Sequence, residues 1–172
     1  MKNFWKIFGL LTVILSFVAC QKQSPAEYND NIVKQQIAII KKMTVLKNSI
    51  NDYNILPADV AIENMNKAYD SLIFQIDTST KAVKAMDPFK KDSTFKNAAL
   101  DLFDSYHNVA VTKYKRVIEL YKLPTNMFTE VESQELDSLK NQAAAEIDEA
   151  FAKFSEVQND FAQKNNLNLI KK

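Results

Sequence analysis

The residues of this chain with the greatest chemical potential stand in two short runs. In Asp101-Leu-Phe-Asp104-Ser-Tyr-His107 a carboxylate and an imidazole are three residues apart, with a second carboxylate about one turn earlier. On a helix that spacing brings Asp104 and His107 to one face, which is half of what a di-iron bundle uses. The other half has no source, because His107 is the only histidine and Cys20 the only cysteine. A zinc ligand set is missing for the same reason. The Asp–His run therefore reads as an exposed pair at the edge of a core face. Glu146-Ile-Asp148-Glu149 is the second run. Its acids flank the apolar Ile147 and read as a solvated face, since general acid–base work needs a cleft and perturbed environments. No catalytic, metal-binding or cofactor-binding residue is assigned.

Both runs sit on segments with helical periodicity. Pro25, Pro57, Pro88 and Pro124 divide residues 25–172 into four pieces of similar length, and proline does not continue a helix. The first piece places Ile32, Ile39, Leu46 and Tyr53 seven apart, with Met43 and Ile50 between them. In the second, Ile62, Met65, Tyr69, Leu72, Ile76, Val83 and Met86 alternate by three and four, with Ser79 filling the gap. Leu100, Phe103, Ala110, Tyr114, Val117 and Tyr121 form the third seam, with Phe95, Leu102, Tyr106 and Val109 beside it. The fourth steps through Ala143, Ile147, Ala150, Phe154, Val157 and Phe161 without a break. Ser24 before Pro25 suits a helix start, Asp92 or Ser93 can cap the third helix, and Thr129 with Glu132 has the spacing of a capping box. Short connections favour antiparallel neighbours. The expected fold is all-α, an up-down-up-down antiparallel four-helix bundle with shallow left-handed crossings. Polar Gln36, Ser79 and Lys140 fall in interior register, where they line a small pocket, mark register or snorkel at the bundle ends.

The first 20 residues have a different character. Met-Lys-Asn-Phe-Trp-Lys is followed by an apolar run from Ile7 to Ala19, and then by Cys20. A basic start, a short apolar stretch and a small residue before the break make a secretory signal. A membrane-spanning helix needs about 20 apolar residues, and Gln21, Lys22 and Gln23 end the run before that. Leu15-Ser16-Phe17-Val18-Ala19-Cys20 resembles the lipobox of bacterial lipoproteins, with Phe17 where leucine is usual. The resemblance implies a signal peptide over 1–19, a lipidated cysteine and short tether over 20–24, and a helical domain over 25–172. It also implies a diacylglyceryl group on Cys20, cleavage before it and acylation of the new amino terminus. The Lys- and Asn-rich, Arg-poor composition is similar to that of Bacteroidota lipoproteins. The run Phe154-Ser-Glu-Val-Gln158-Asn-Asp-Phe161-Ala-Gln-Lys-Asn-Asn-Leu167-Asn-Leu169 resembles the closing helix of small helical lipoproteins in Bacteroidota and leptospires, a likeness that implies no activity. Surface-exported lipoproteins of the Bacteroidota style usually carry acidic residues after the cysteine. Gln21-Lys22-Gln23 stands there instead, so the resemblance implies an outer-membrane protein facing the periplasm, with the cell surface as the alternative.

Composition excludes several classes. The single glycine, Gly9, lies in the leader, so phosphate-cradling loops, nucleophile elbows and Rossmann turns have no glycine to build them. The chain has 22 basic and 21 acidic residues, and two of the basic ones, Lys2 and Lys6, also belong to the leader. No basic surplus remains for nucleic acid. Arg116 is the only arginine, which leaves little for bidentate phosphate binding. Charge is nonetheless arranged along the expected bundle. Lys81, Lys84, Lys90, Lys91, Lys96, Lys164, Lys171 and Lys172 gather at the end nearest the tether, outnumbering Asp87 and Asp92. Asp52, Asp59, Glu63, Glu130, Glu132, Glu135 and Asp137 gather at the other. A basic base suits an anionic leaflet. The expected function is a lipid-anchored, non-catalytic envelope module, held to membrane lipid through Cys20, that binds an envelope protein or serves a structural role. The alternative is a bundle that holds a small apolar ligand between its helices.

Overall fold

The structure, a computed structural model, describes residues 23–169. The leader, Cys20, Lys171 and Lys172 lie outside those residues. Four helices form the expected bundle. Helix α1 is Pro25–Asn51 and α2 is Ala58–Lys84. Helix α3 runs over 94–121 as an α segment Thr94–Val109, a π segment Ala110–Tyr114 and a second α segment Lys115–Tyr121. Helix α4 is Glu130–Lys164. Among the described residues no helix is long and apolar enough to cross a membrane.

Aromatic contacts establish the up-down-up-down order. At one end Tyr28 of α1 lies 6.4 Å from Phe95 at the start of α3 and 5.8 Å from Phe161 near the end of α4, measured between ring centroids. At the opposite end Tyr53, after α1, lies 4.3 Å from Tyr121 at the close of α3. Helices α1 and α3 therefore point one way, and α4 points back. Helix α1 packs along α2, α2 along α3, and α3 along α4, whereas the backbones of α1 and α4 are not in close contact.

The predicted helix starts form as their chemistry dictates. The Ser24 N–H donates to Glu27 Oε2 at 2.9 Å, and the Glu27 N–H donates back to Ser24 Oγ at 3.2 Å. Thr129 and Glu132 make the same reciprocal box at the head of α4. At α3 it is Asp92 that acts, accepting the Thr94 N–H at 2.8 Å, while Ser93 makes no side-chain cap. The Ser24 backbone and hydroxyl hold the Glu27 carboxyl below its ordinary value, and the Thr129 hydroxyl and backbone do so for Glu132. A carboxyl held low when folded adds stability above its unfolded pKa and loses it as pH falls through the folded one. Thermal midpoints measured from neutral pH down to about pH 3 should therefore fall, and should fall less steeply in Glu27→Gln/Glu132→Gln. An unchanged slope in the double variant would show that the boxes add nothing in solution.

The core follows the four seams, although Tyr53 of the first and Ile62, Tyr69 and Met86 of the second are only half-buried. The π segment sets Val109 and Ala110 side by side in the interior, because its longer hydrogen-bond loop admits an extra residue. Leu100 and Tyr121, at the ends of the expected third seam, are then only half-buried. Burial pushes the Tyr114 hydroxyl, at the close of that segment, up to about 12. On α4 the seam residues Ala143, Phe154 and Phe161 are buried, but Ile147, Ala150 and Val157 are half-buried, because Ile147 borders a cleft towards α1 and the other two border a cleft towards α3.

Candidate functional site

The fold redistributes the two acidic runs. Asp101 meets Glu146, Glu149 and Lys153 in a cleft of about 360 Å3 between α3 and α4. Asp101 also borders, with Asp104 and His107, a cleft of about 390 Å3 towards α2, whose charged lining includes Asp77 and Lys84. Asp148 belongs to neither and lines the side of α4 that faces α1. Glu146 is paired with Lys113 at 3.0 Å and Glu149 with Lys153 at 2.7 Å. The Lys153 hydrogen bond holds the Glu149 carboxyl below its usual range, the reverse of what a proton-donating acid at neutral pH requires. Among the described residues no group of three or more His, Cys, Asp or Glu side chains is placed to hold a metal ion. Glu146 and Glu149 are each paired with a lysine, and the exposed Asp101 borders both clefts.

The interior polar residues join helices rather than line a pocket together. Ser79 is fully buried; its hydroxyl donates to Gln35 Oε1 at 3.1 Å and accepts from Gln75 Nε2 at 3.0 Å. This fixes the register of α1 against α2. Gln36 is buried beside Tyr106, where burial raises the phenol pKa and the Gln36 side-chain hydrogen bond opposes the rise. Lys140 reaches the Tyr121 hydroxyl at 3.0 Å, and its ammonium lies 5.5 Å from the centre of that ring. Arg116 gives both arms of its fork to Glu135, at 2.7 and 2.9 Å, and so links α3 to α4. That pair is part-exposed and contributes little stability alone.

The most built-up feature is the end where α1 begins. Tyr28, Phe89, Phe95 and Phe161 form an aromatic cluster, with Phe89 lying 5.2 Å from Tyr28 and 5.3 Å from Phe161. Phe89 opens a tight turn closed by the Asp92 N–H donating to its carbonyl at 2.8 Å. The turn's central residues, Lys90 and Lys91, have φ of 50° and 71°. Left-handed backbone thus occurs here without glycine, at a cost of roughly 1–2 kcal/mol per residue. Buried Phe89 and the Lys90 ammonium, which donates to Asn165 Oδ1 at 3.1 Å, hold the turn in place. Both lysines are exposed at its tip. Lys96, counted with them from sequence, donates to the Lys84 carbonyl at 2.8 Å and to the Met86 carbonyl, and so closes the end of α2. The Tyr28 hydroxyl is buried without a hydrogen-bond partner of good geometry. The Phe89 backbone stands beside it, and burial raises its pKa.

Sequence periodicity missed Phe89, which lies in a loop, and the hydrogen bond from Gln158 to Asn29 at 2.8 Å that ties α4 to the start of α1. The far end of the bundle exposes Ile55, Met127 and Val131 among its acids. Comparison with protein-family models, curated proteins and solved structures gives no match to this chain.

Proposed function

We propose that this chain is a lipid-anchored, non-catalytic module of the bacterial envelope, tethered through Cys20 to the outer membrane and facing the periplasm. There its helical domain binds an envelope protein or serves a structural role. The observation that carries the reading is the 5.2 Å contact of Tyr28 with Phe89. It brings the first turn of α1, a few residues after Cys20, to the same end as the Lys90–Lys91 turn. A basic tip beside the tether suits an anionic headgroup layer. The lysine pairing of Glu146 and Glu149, and the solvent exposure of Asp101 and Asp104, support a binding role over catalysis. The two clefts that these residues border are open to solvent and bordered by charge, which suits a protein surface better than a small apolar ligand.

Metabolic labelling with a fatty-acid probe tests the anchor. The wild-type chain should take the label and the Cys20→Ser chain should take none. Label kept by the variant, or a mature chain that starts elsewhere, overturns the tether. Protease added to intact cells tests the side, because rapid shaving of the domain overturns the periplasmic placement.

A further inference from the structure

Helices α1 and α4 are held together at the tether end and part towards the middle, leaving a cleft of about 200 Å3. Tyr106 of α3 contributes to this cleft, with Ile40, Thr44 and Lys47 on one lip and Asp148 and Phe151 on the other. Its outer apolar groups are not covered: Ile40 is 40% exposed and Phe151 43%, and Ile37, one turn before Ile40, is 46% exposed. They belong to continuous stripes. Val33, Ile37, Ile40, Thr44 and Lys47 step by four and three along α1, as Ala144, Asp148 and Phe151 do along α4, so each set lies on one helix face.

The two lips carry opposite charge. The charged residues bordering the cleft are Lys47 of α1 and Asp148 of α4, both exposed. Among the described residues neither forms an ion pair. A face with a basic left lip and an acidic right lip is complementary to itself under one rotation only. A two-fold axis parallel to the helices exchanges the lips and sets α1 against α4 of the other copy. An axis across the helices would set α1 against α1, lysine against lysine. We propose that the α1–α4 cleft seats a second copy of this chain, related by a two-fold axis along the bundle. Lys47 of each copy then faces Asp148 of the other, and Ile40 and Phe151 of both are buried between them. Lys47 and Asp148 border the same cleft at one level, so the rotation brings them opposite each other. Ala144 lets the helices approach closely. The interface is isologous and closed, as a stable dimer requires. The same axis keeps both tethers on one side of the dimer; that last point rests on the proposed anchoring through Cys20, whereas the charge argument does not.

The test uses the full chain purified from membranes in detergent. Sedimentation should give a dimer. Carbodiimide treatment of mixed heavy- and light-isotope copies should yield Lys47–Asp148 crosslinks that contain one peptide of each isotope. Ile40→Glu/Phe151→Glu should sediment as a monomer with unchanged helical circular dichroism, because both side chains are already part-exposed in one copy. Lys47→Glu and Asp148→Lys should each weaken the dimer about tenfold, and the two together should restore it. A wild-type chain that sediments as a monomer, alone or bound only to a different protein, overturns the proposal. So does a dimer indifferent to Ile40→Glu/Phe151→Glu, or a double charge swap weaker than either single change. A labelled monomer removes the dimer and leaves the anchor; a dimer without label does the reverse.

Discussion

Phe154→Ala is expected to lower the unfolding free energy by about 3–5 kcal/mol, the range for removing a ring from a packed core. The Phe154 side chain is 2% exposed and its ring stacks on Phe95 at 5.6 Å. Phe95 in turn stacks on Phe161 at 4.8 Å, so the ring is one layer of an aromatic column running up from the tether end. Helix α4 depends on few such residues. Its other large buried side chains are Leu136 and Phe161, and no close α1 backbone shares the load. A cavity at position 154 would therefore open beside the part of α4 that has least to collapse onto. Urea unfolding followed by circular dichroism measures the change. A loss below about 1 kcal/mol would mean that α4 is not packed through this column.

How far the sequence foretold these features depends on the range of the forces involved. The capping boxes at Ser24–Glu27 and Thr129–Glu132 were legible because each is a bond between residues three apart. The seams were legible where a helix is covered on both flanks, as at Ile39, Leu46, Leu72 and Ile76, all buried. Ile147, Ala150 and Val157 fit the same rule and are half-buried, because periodicity marks a face and does not say whether a neighbour closes over it. The π segment was hidden for a related reason. Val109 and Ala110 were both legible as core positions, but the backbone turn that buries them together depends on partners on α2 and α4, to which the spacing within α3 is blind. Asp101 shares a cleft with Glu146 and Glu149, 45 and 48 residues further along the chain, so no spacing within one helix could have joined it to them. The turn at Phe89 is the clearest omission. A buried loop aromatic has no period, and lysines in left-handed conformation follow no compositional rule.

Reversing both tip charges, Lys90→Glu with Lys91→Glu, is expected to weaken binding of the lipid-free chain starting at Gln21 to anionic vesicles by roughly 30-fold or more. Each lysine close to an anionic surface contributes about 1 kcal/mol, so losing two attractions removes about 2 kcal/mol, before the repulsion of the new carboxylates is added. These two residues, rather than the whole basic set, should dominate. Lys96 is engaged with the Lys84 and Met86 carbonyls, whereas Lys90, which reaches Asn165 Oδ1 at the surface, and Lys91 are exposed on a turn that Phe89 fixes to the aromatic cluster. Only Gln21 to Ser24 separate Cys20 from α1, and four extended residues span at most about 14 Å. A tethered bundle therefore keeps this end near the headgroups, within about one or two Debye lengths at physiological salt. Binding should weaken as salt rises. The control is charge reversal at the far end, Glu130→Lys with Asp137→Lys, which should leave vesicle binding nearly unchanged because those residues stand a full bundle length away. If the far-end changes alter binding and the Lys90 and Lys91 changes do not, the basic tip is not the membrane-facing end and the proposed orientation on the leaflet is wrong.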